Sequence, residues 1–262
     1  MKILLIAGHG GTPYDSGAVG CGYTEAVETR RMANAVAPLL RSYGFEVALY
    51  DQSRDAYKVV TQGGSLPLSG ISYVLEFHLN SAANDPKGNG RTTGTEIFVH
   101  TNEQGVGVEQ AILRRVCALG FTNRGIKRSS GLAVLKHVFK RGVSHALVET
   151  CFIDDKDDMA LYGAKFDAIA KAIADGVAEG FGKEIDDMTE AQTREIAKEE
   201  ANKLQPKRYR AVSDMPEYMR ADMQVLIDEK VLTGKGGSEA DKGLDLTEDM
   251  ARMLIMMRRM IN

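Results

Sequence analysis

The sequence predicts an α/β fold: a mixed, mostly parallel sheet flanked by helices, followed by a small helical C-terminal domain. Three observations carry that reading. From Met1 to about Gly182, short apolar runs alternate with longer segments of helical periodicity, the pattern of a sheet covered on both faces. Around Lys183 the texture turns polar and charged. Beyond it lie two amphipathic stretches rich in methionine.

Lys2 to Ala7 is a short apolar run closed by Gly8, the mark of a buried strand. Glu25 to Ser42 spaces Met32, Ala35, Val36, Leu39 and Leu40 along one helical stripe, with Thr24 as N-cap. Phe45–Tyr50, Ile71–His78 and Thr95–His100 read as strands, and a helix follows near Val106 to Leu119. Gly131–His137 and Ala146–Phe152 read as further strands, and Phe166–Phe181 as the closing helix. These elements make residues 1–182 one domain.

Residues 183–210 read as a charged linker, with Asp186 to Lys203 helical in propensity. Residues 211–262 read as two amphipathic helices, Met215–Leu232 and Leu246–Ile261, joined by a Gly-rich loop from Thr233 to Gly243. Asp245-Leu-Thr-Glu248 has the form of a capping box for the second. Nine of the 12 methionines fall at or after Met188, which suits either gap-filling core or an adaptable docking face.

The chain has 262 residues, enough for a sizeable core. Its net charge of -3 weighs against a nucleic-acid surface. Cys21, Cys117 and Cys151 are odd in number and lack CxxC spacing, which argues against a disulfide framework and a cysteine-based metal site. Ile3–Ala7 is too short for the apolar segment of a signal peptide, and no stretch has the length of a membrane span.

The opening loop, Gly8-His-Gly-Gly followed by Asp15-Ser-Gly-Ala18, raises the question of a phosphate or a metal. A phosphate loop needs Gly-Lys-Ser/Thr at a helix start, and a dinucleotide fingerprint needs glycines spaced otherwise. Metal fits better. His9 follows the first strand, His78 ends another, Glu149 sits in an apolar strand, and Glu25 opens the helix after the loop. If the strands are parallel neighbours, three of these groups share one sheet edge. Two imidazoles and a carboxylate suffice for a catalytic zinc, leaving a further polar residue to act as base. Each residue also has a plainer reading. A histidine after a strand is often a hydrogen-bonded loop residue, and Glu25 suits the helix dipole. Glu149 is harder to dismiss, because a buried carboxylate is costly unless paired or coordinated. Glu76, two residues before His78, reads as the partner of a basic side chain; His100, His137 and His145 read as structural or exposed.

Gly8-His9-Gly-Gly, Asp15-Ser-Gly-Ala18, Glu25 with its helix, Phe77-His78-Leu-Asn80 and Leu147-Val-Glu149-Thr-Cys-Phe152 occur in this order over Met1 to Gly182. The set resembles the zinc-dependent N-acetylmuramoyl-L-alanine amidases of the amidase-3 type, found in phage endolysins and bacterial autolysins. The resemblance implies that His9, Glu25 and His78 hold zinc and that Glu149 is the catalytic glutamate. Glu28 is a second candidate on the helix; the distance from Glu25 to Met32-Ala33 fits the family pattern better. It also implies that Asn80 helps hold substrate and that Arg124 and Lys127, in Asn123-Arg-Gly-Ile-Lys127, meet substrate carboxylates. Ser144-His145 stands where the family often has proline, a departure that touches loop shape rather than chemistry. Asn84 to Thr93 reads as a mobile loop near the site.

The implied reaction is hydrolysis of the amide between N-acetylmuramic acid and L-alanine of the peptidoglycan stem peptide. Cys151, two residues from Glu149 on the same face of the strand, is not expected to be a nucleophile, since a catalytic cysteine needs a nearby base and His145 is displaced along the strand. The rival readings are another zinc carboxypeptidase or deacylase, and a non-catalytic wall-binding protein. Ala221-Asp-Met-Gln-Val-Leu226 and Leu246-Thr-Glu-Asp-Met-Ala251 faintly resemble a surface-layer-homology or wall-anchoring unit. Wall binding is therefore the first expectation for residues 211–262, and homo-oligomerisation the second. Bacterial peptidoglycan is the expected partner, without nucleic acid or membrane. The chain is expected to be made in the bacterial host cytoplasm without a signal peptide and to act on the wall after release, as a phage or prophage endolysin; a bacterial amidase of spore or mother-cell wall is the alternative.

Overall fold

The computed structural model describes residues 1–11, 15–185, 208–209, 211–229, 231–232, 246–247, 250–251 and 253–256. In order, the first elements are β1 (Lys2–Ala7), β2 (Val19–Gly20), β3 (Tyr23–Thr24), α1 (Glu25–Ser42), β4 (Glu46–Leu49), α2 (Ala56–Thr61) and β5 (Tyr73–Asn80). They are followed by β6 (Thr95–His100), α3 (Gly107–Cys117), β7 (Asn123–Ser129), α4 (Ala133–Phe139), β8 (Ser144–Phe152), α5 (Lys156–Ala164) and α6 (Phe166–Gly180). Six strands form one sheet in the order β4-β1-β5-β8-β6-β7. Every neighbouring pair is parallel except β6 with β8, so the sheet is mixed and mostly parallel, as the sequence predicts.

Strand alternation sorts the side chains into two layers. Ile3, Leu5, Tyr73, Leu75, Phe77, Ala146 and Val148 pack with residues of α1, α3 and α6. Leu4, Ile6 and Val74 pack with Ala56 of α2 and with Val134 and Val138 of α4. The helices on this second face are short, 6 and 7 residues, and Ala56, Tyr57, Ala133 and Val134 from them share a cavity with Glu76 and His78 of β5. Glu76 and His78 fall on that second face, between hydrophobic neighbours that point the other way.

Several expectations change. Gly131–His137 is not a strand: β7 lies earlier, and Ala133–Phe139 is helical, with Lys136 N–H donating to Leu132 C=O at 2.9 Å. Val134, Leu135 and Val138 are buried at helical spacing, a pattern that a short apolar run hides. The strand itself, Asn-Arg-Gly-Ile-Lys-Arg-Ser, is a mostly exposed edge strand with little apolar signal. Thr24 occupies the N-cap of α1, but its side chain makes no capping bond. Instead Glu25 and Ala26 N–H donate to the loop carbonyls of Ala18 and Ser16, at 2.9 and 3.0 Å. The helices α2 and α5, unforeseen in the sequence, are capped by Asp55 and Asp155.

The chain divides into two compact units, Met1–Glu200 and Ala201–Asn262. In the second, β9 (Arg208–Tyr209) pairs antiparallel with β10 (Leu246–Thr247), and α7 (Glu217–Asp228) carries Met219 and Met223 into a small core with Tyr209, Met215 and Leu226. Leu246 thus belongs to a strand, not to the start of a helix; helical conformation recurs at 250–251 and 253–256. Buried Met215, Met219 and Met223 are core filler, whereas Met250, Met253 and Met256 are exposed. The Asp186–Lys203 helix, the Thr233–Gly243 loop and the Asp245/Glu248 capping box lie outside the described residues. No helix among the described residues is long and apolar enough to cross a membrane.

Candidate metal centre and active site

The loop after β1 turns sharply: His9 has φ 65°, a left-handed conformation uncommon for a residue with a side chain. Such strain persists only where surroundings enforce it. Here the enforcing contacts are on the ring. His9 Nδ1 lies 3.0 Å from Asp15 Oδ2, and Nε2 lies 3.0 Å from Glu25 Oε1. His78, at the end of β5, meets the same Glu25 oxygen through Nδ1 at 2.9 Å. Its other nitrogen, Nε2, lies 3.1 Å from Glu76 Oε1.

The three residues His9, Glu25 and His78 therefore converge, each offering a ligand atom within 4.8 Å of the others. Glu25 itself is fixed by backbone. Ala18 N–H donates to Oε2 at 2.9 Å and Leu79 N–H to Oε1 at 3.1 Å. Two glycines make the room. A Cβ on Gly8 would run into the His78 imidazole, and one on Gly17 would meet His9 Cδ2 at 2.6 Å and Glu25 Oε2 at 2.7 Å. Glu28, one turn along α1, faces elsewhere: its Oε2 takes bonds from Arg31 and the Tyr162 hydroxyl, each at 3.2 Å.

Glu149 lies directly across from His78 in the β5–β8 register, and across from Glu96 in the β8–β6 register. Its Oε2 is buried and has no hydrogen-bond partner among the described residues. Burial pushes its carboxyl up to about 7; nearby His78 opposes the rise, while Glu25 and Glu96 add to it. Glu25 shows the reverse balance. Burial alone would raise it, but the hydrogen bonds with His78 and His9 hold it well below the usual carboxylate range. Burial would lower both imidazoles, yet the same carboxylates raise them. A cavity of about 250 Å³ lies beside the cluster, lined by His9, Asp15, Tyr57, Glu76, His78 and Leu147 among others.

Asn80 and Arg124 are joined by a residue that sequence reading passed over. Buried Glu96 accepts from Asn80 Nδ2 at 2.7 Å and from Arg124 Nε at 2.9 Å, and the Arg124 guanidinium lies over the Phe152 ring. An acidic residue in the apolar strand Thr95–His100 is the signal that could have found it, the same signal that marked Glu149. Lys127 is exposed on the edge strand opposite Phe98, apart from this chain of contacts. Asp15, the partner of His9, was legible only as part of a loop motif.

Cys151 is not on the face of Glu149. The β5–β8 register shifts between His78 and Asn80, so β8 carries one extra residue there. The thiol packs in the apolar layer against Met159, and burial raises it well above its ordinary value. The loop after β5 is not free either. Asp154 accepts from Ala82, Ala83 and Asn84 N–H, Asp157 from Asn89 and Gly90, Asp155 from Thr93, and Asp158 from Gly94.

No curated protein matches the sequence. Among solved structures, the fold is similar to the catalytic domain of the CD27L endolysin targeting Clostridia Difficile, at 22% identity over 71% of this chain and 99% of that one, with a TM-score of 0.53. The amidase AmiC2 of Nostoc punctiforme is similar at 20% identity over 69% and 94%, with a TM-score of 0.51. Cwp6 from Clostridium difficile matches at 25% identity over 68% of this chain and 29% of that one, with a TM-score of 0.55. The profile of the N-acetylmuramoyl-L-alanine amidases of the amidase-3 type matches residues 3–179, which span the sheet, its helices and every residue of the converging cluster, and the chain belongs to that family.

Proposed function

We propose that the protein is a zinc-dependent amidase that cleaves the bond between N-acetylmuramic acid and L-alanine of the stem peptide, with an endolysin-type role in wall lysis. The observation that carries the reading is the convergence of His9 Nε2 and His78 Nδ1 on one oxygen of Glu25. Each imidazole has a carboxylate on its far nitrogen, which favours the proton there and leaves the near nitrogen as a lone-pair donor. Two imidazoles and one carboxylate, with no thiolate, form a donor set that suits zinc at a hydrolytic centre. His9, Glu25 and His78 would hold the ion. When bound, zinc polarises the scissile carbonyl and acidifies the attacking water.

The remaining steps belong to the chain. Glu149, with an unclaimed buried oxygen and a carboxyl near neutrality, takes the proton of the attacking water and delivers it to the departing amine. The Asn80–Glu96–Arg124 chain holds a cationic group at the rim of the same face, suited to a stem-peptide carboxylate. Lys127 adds positive charge further out on the edge strand. The endolysin-type role draws on the likeness to an endolysin catalytic domain and on the presence of a second unit after it.

The test is mass spectrometry of purified peptidoglycan digested by the zinc-loaded protein. Free stem peptides beginning with L-alanine are expected. Release of amino acids from the peptide end, or turnover of simple acylated amino acids with none of muropeptides, would replace this reading with that of a carboxypeptidase or deacylase.

A further inference from the structure

Glu76 is neither a ligand nor a proton carrier in the proposed chemistry, yet it is a 3% exposed carboxylate in the middle of an apolar strand. Its two oxygens are divided between two histidines. Oε1 lies 3.1 Å from His78 Nε2, and Oε2 lies 3.0 Å from His145 Nε2. His145 is 1% exposed; its Nδ1 has no hydrogen-bond partner among the described residues, and its Nε2 meets Glu76 Oε2 as a close ion-pair contact rather than an aligned hydrogen bond. A buried carboxylate and a buried imidazole are each costly alone. Side by side on neighbouring strands, at Val74↔His145 and Glu76↔Leu147 in the register, they compensate one another. The Ser144-His145 departure in the sequence is thus where this carboxylate finds its second partner.

We infer that Glu76 is a positioning residue for His78, accepting the Nε2 proton so that Nδ1 is presented as the ligand atom, with His145 anchoring the carboxylate from behind. The inference rests on the reading of His78 as a zinc ligand. The geometry allows one arrangement of the ring. Gly8 packs against one side of it, Glu25 takes Nδ1, and Glu76 takes Nε2. Removing Glu76 would free the ring to rotate and to place its proton on either nitrogen. A ligand's partner of this kind commonly sets metal affinity rather than the fold.

The test uses the full-length protein, stripped by a chelator and titrated with zinc against a chromophoric competitor. Glu76→Ala is expected to lose about 10–100-fold in zinc affinity. Glu76→Gln, whose amide oxygen still accepts from Nε2–H, is expected to lose less. Wild-type affinity in a folded Glu76→Ala variant, or equal loss in both variants, would overturn the positioning role alone. A wild-type protein that takes up no zinc would instead remove the metal reading beneath it. Nitrogen-15 spectra of the histidines in the zinc-loaded wild type give an answer that needs no variant. His78 should keep its proton on Nε2, and zinc attached to Nε2 would overturn the inference.

Discussion

Glu25 holds one charge against two imidazoles, and that arrangement decides what each substitution should do. His9 and His78 reach the same oxygen, so removing both rings leaves a buried carboxylate with only backbone donors. A His9→Ala, His78→Ala double variant is expected to lose its zinc, read by metal analysis of the folded protein; full zinc content would sink the ligand assignment. Glu149 makes no bond to the cluster and sits across the register from it. Glu149→Gln should therefore keep both fold and zinc while kcat falls by about 10²–10⁴-fold, the usual contribution of a general base. A wild-type rate would make Glu149 a structural residue. Cys151 is buried on the opposite face with a raised thiol. Cys151→Ser should leave turnover of muropeptides largely intact while a chelator abolishes it, and the reverse pattern would point to thiol chemistry.

At the level of elements, the segment Asp154-Asp155-Lys-Asp157-Asp158 does two jobs at once. Asp155 caps α5, and the four carboxylates together take up backbone N–H groups of the loop between β5 and β6. Asp158 is, with Asp155, one of two buried members. Burial raises its carboxyl to about 6, although Phe152 and Gly94 N–H bonds oppose the rise. The folded value thus exceeds the unfolded value of about 3.9. The folded state then binds the proton more tightly, so this contribution to stability is full below about pH 4 and lost as pH rises through about 6. Asp158→Asn should flatten that part of the melting temperature's pH dependence, measured as the difference between variant and wild type from pH 4 to 7. An unchanged slope would show that Asp158 titrates normally. None of this loop anchoring was legible beforehand, because carboxylates that bind backbone leave no periodic trace. By contrast β1, α1 and β6 were legible to the residue: a short apolar run, a long 3.6-residue stripe and a bounded apolar strand each admit one reading. The run from Leu132 to Phe139 admits two, and tertiary packing chose the helix. His9, Glu25 and His78 were legible as residue types at element ends, and Glu149 as a carboxylate inside an apolar strand. Asp15 and Glu96 were not assigned, and Glu76 only as the partner of an unspecified basic side chain, since their roles depend on which strand lies beside which. The extra residue in β8 that turns Cys151 away from Glu149 is likewise a property of pairing.

On the scale of the whole molecule, the two units divide the chain unevenly. Met1–Glu200 contains the sheet, both apolar layers and every residue of the converging cluster. Its last described residues still belong to it, with Ile185 packed on the main core and the Lys183 ammonium over the Phe45 ring. Ala201–Asn262 has a small core of its own, built on Tyr209, Met215, Met219, Met223 and Leu226, and no histidine or cysteine. Each unit thus has what a separate domain needs. A chain ended after Glu200 is expected to fold, to bind zinc and to cleave soluble muropeptides at close to the full-length rate. On intact cells it should be slower or act on a different range of hosts. A second binding site raises occupancy at the wall through effective concentration, without touching the chemistry. The comparison is made with both proteins on both substrates, and with their masses measured by light scattering. Equal lysis of whole cells by the two would remove wall binding as the role of the second unit, and a mass that halves on truncation would assign it to self-association. Loss of activity on soluble fragments would mean that the second unit completes the catalytic fold, against the separation of the two cores.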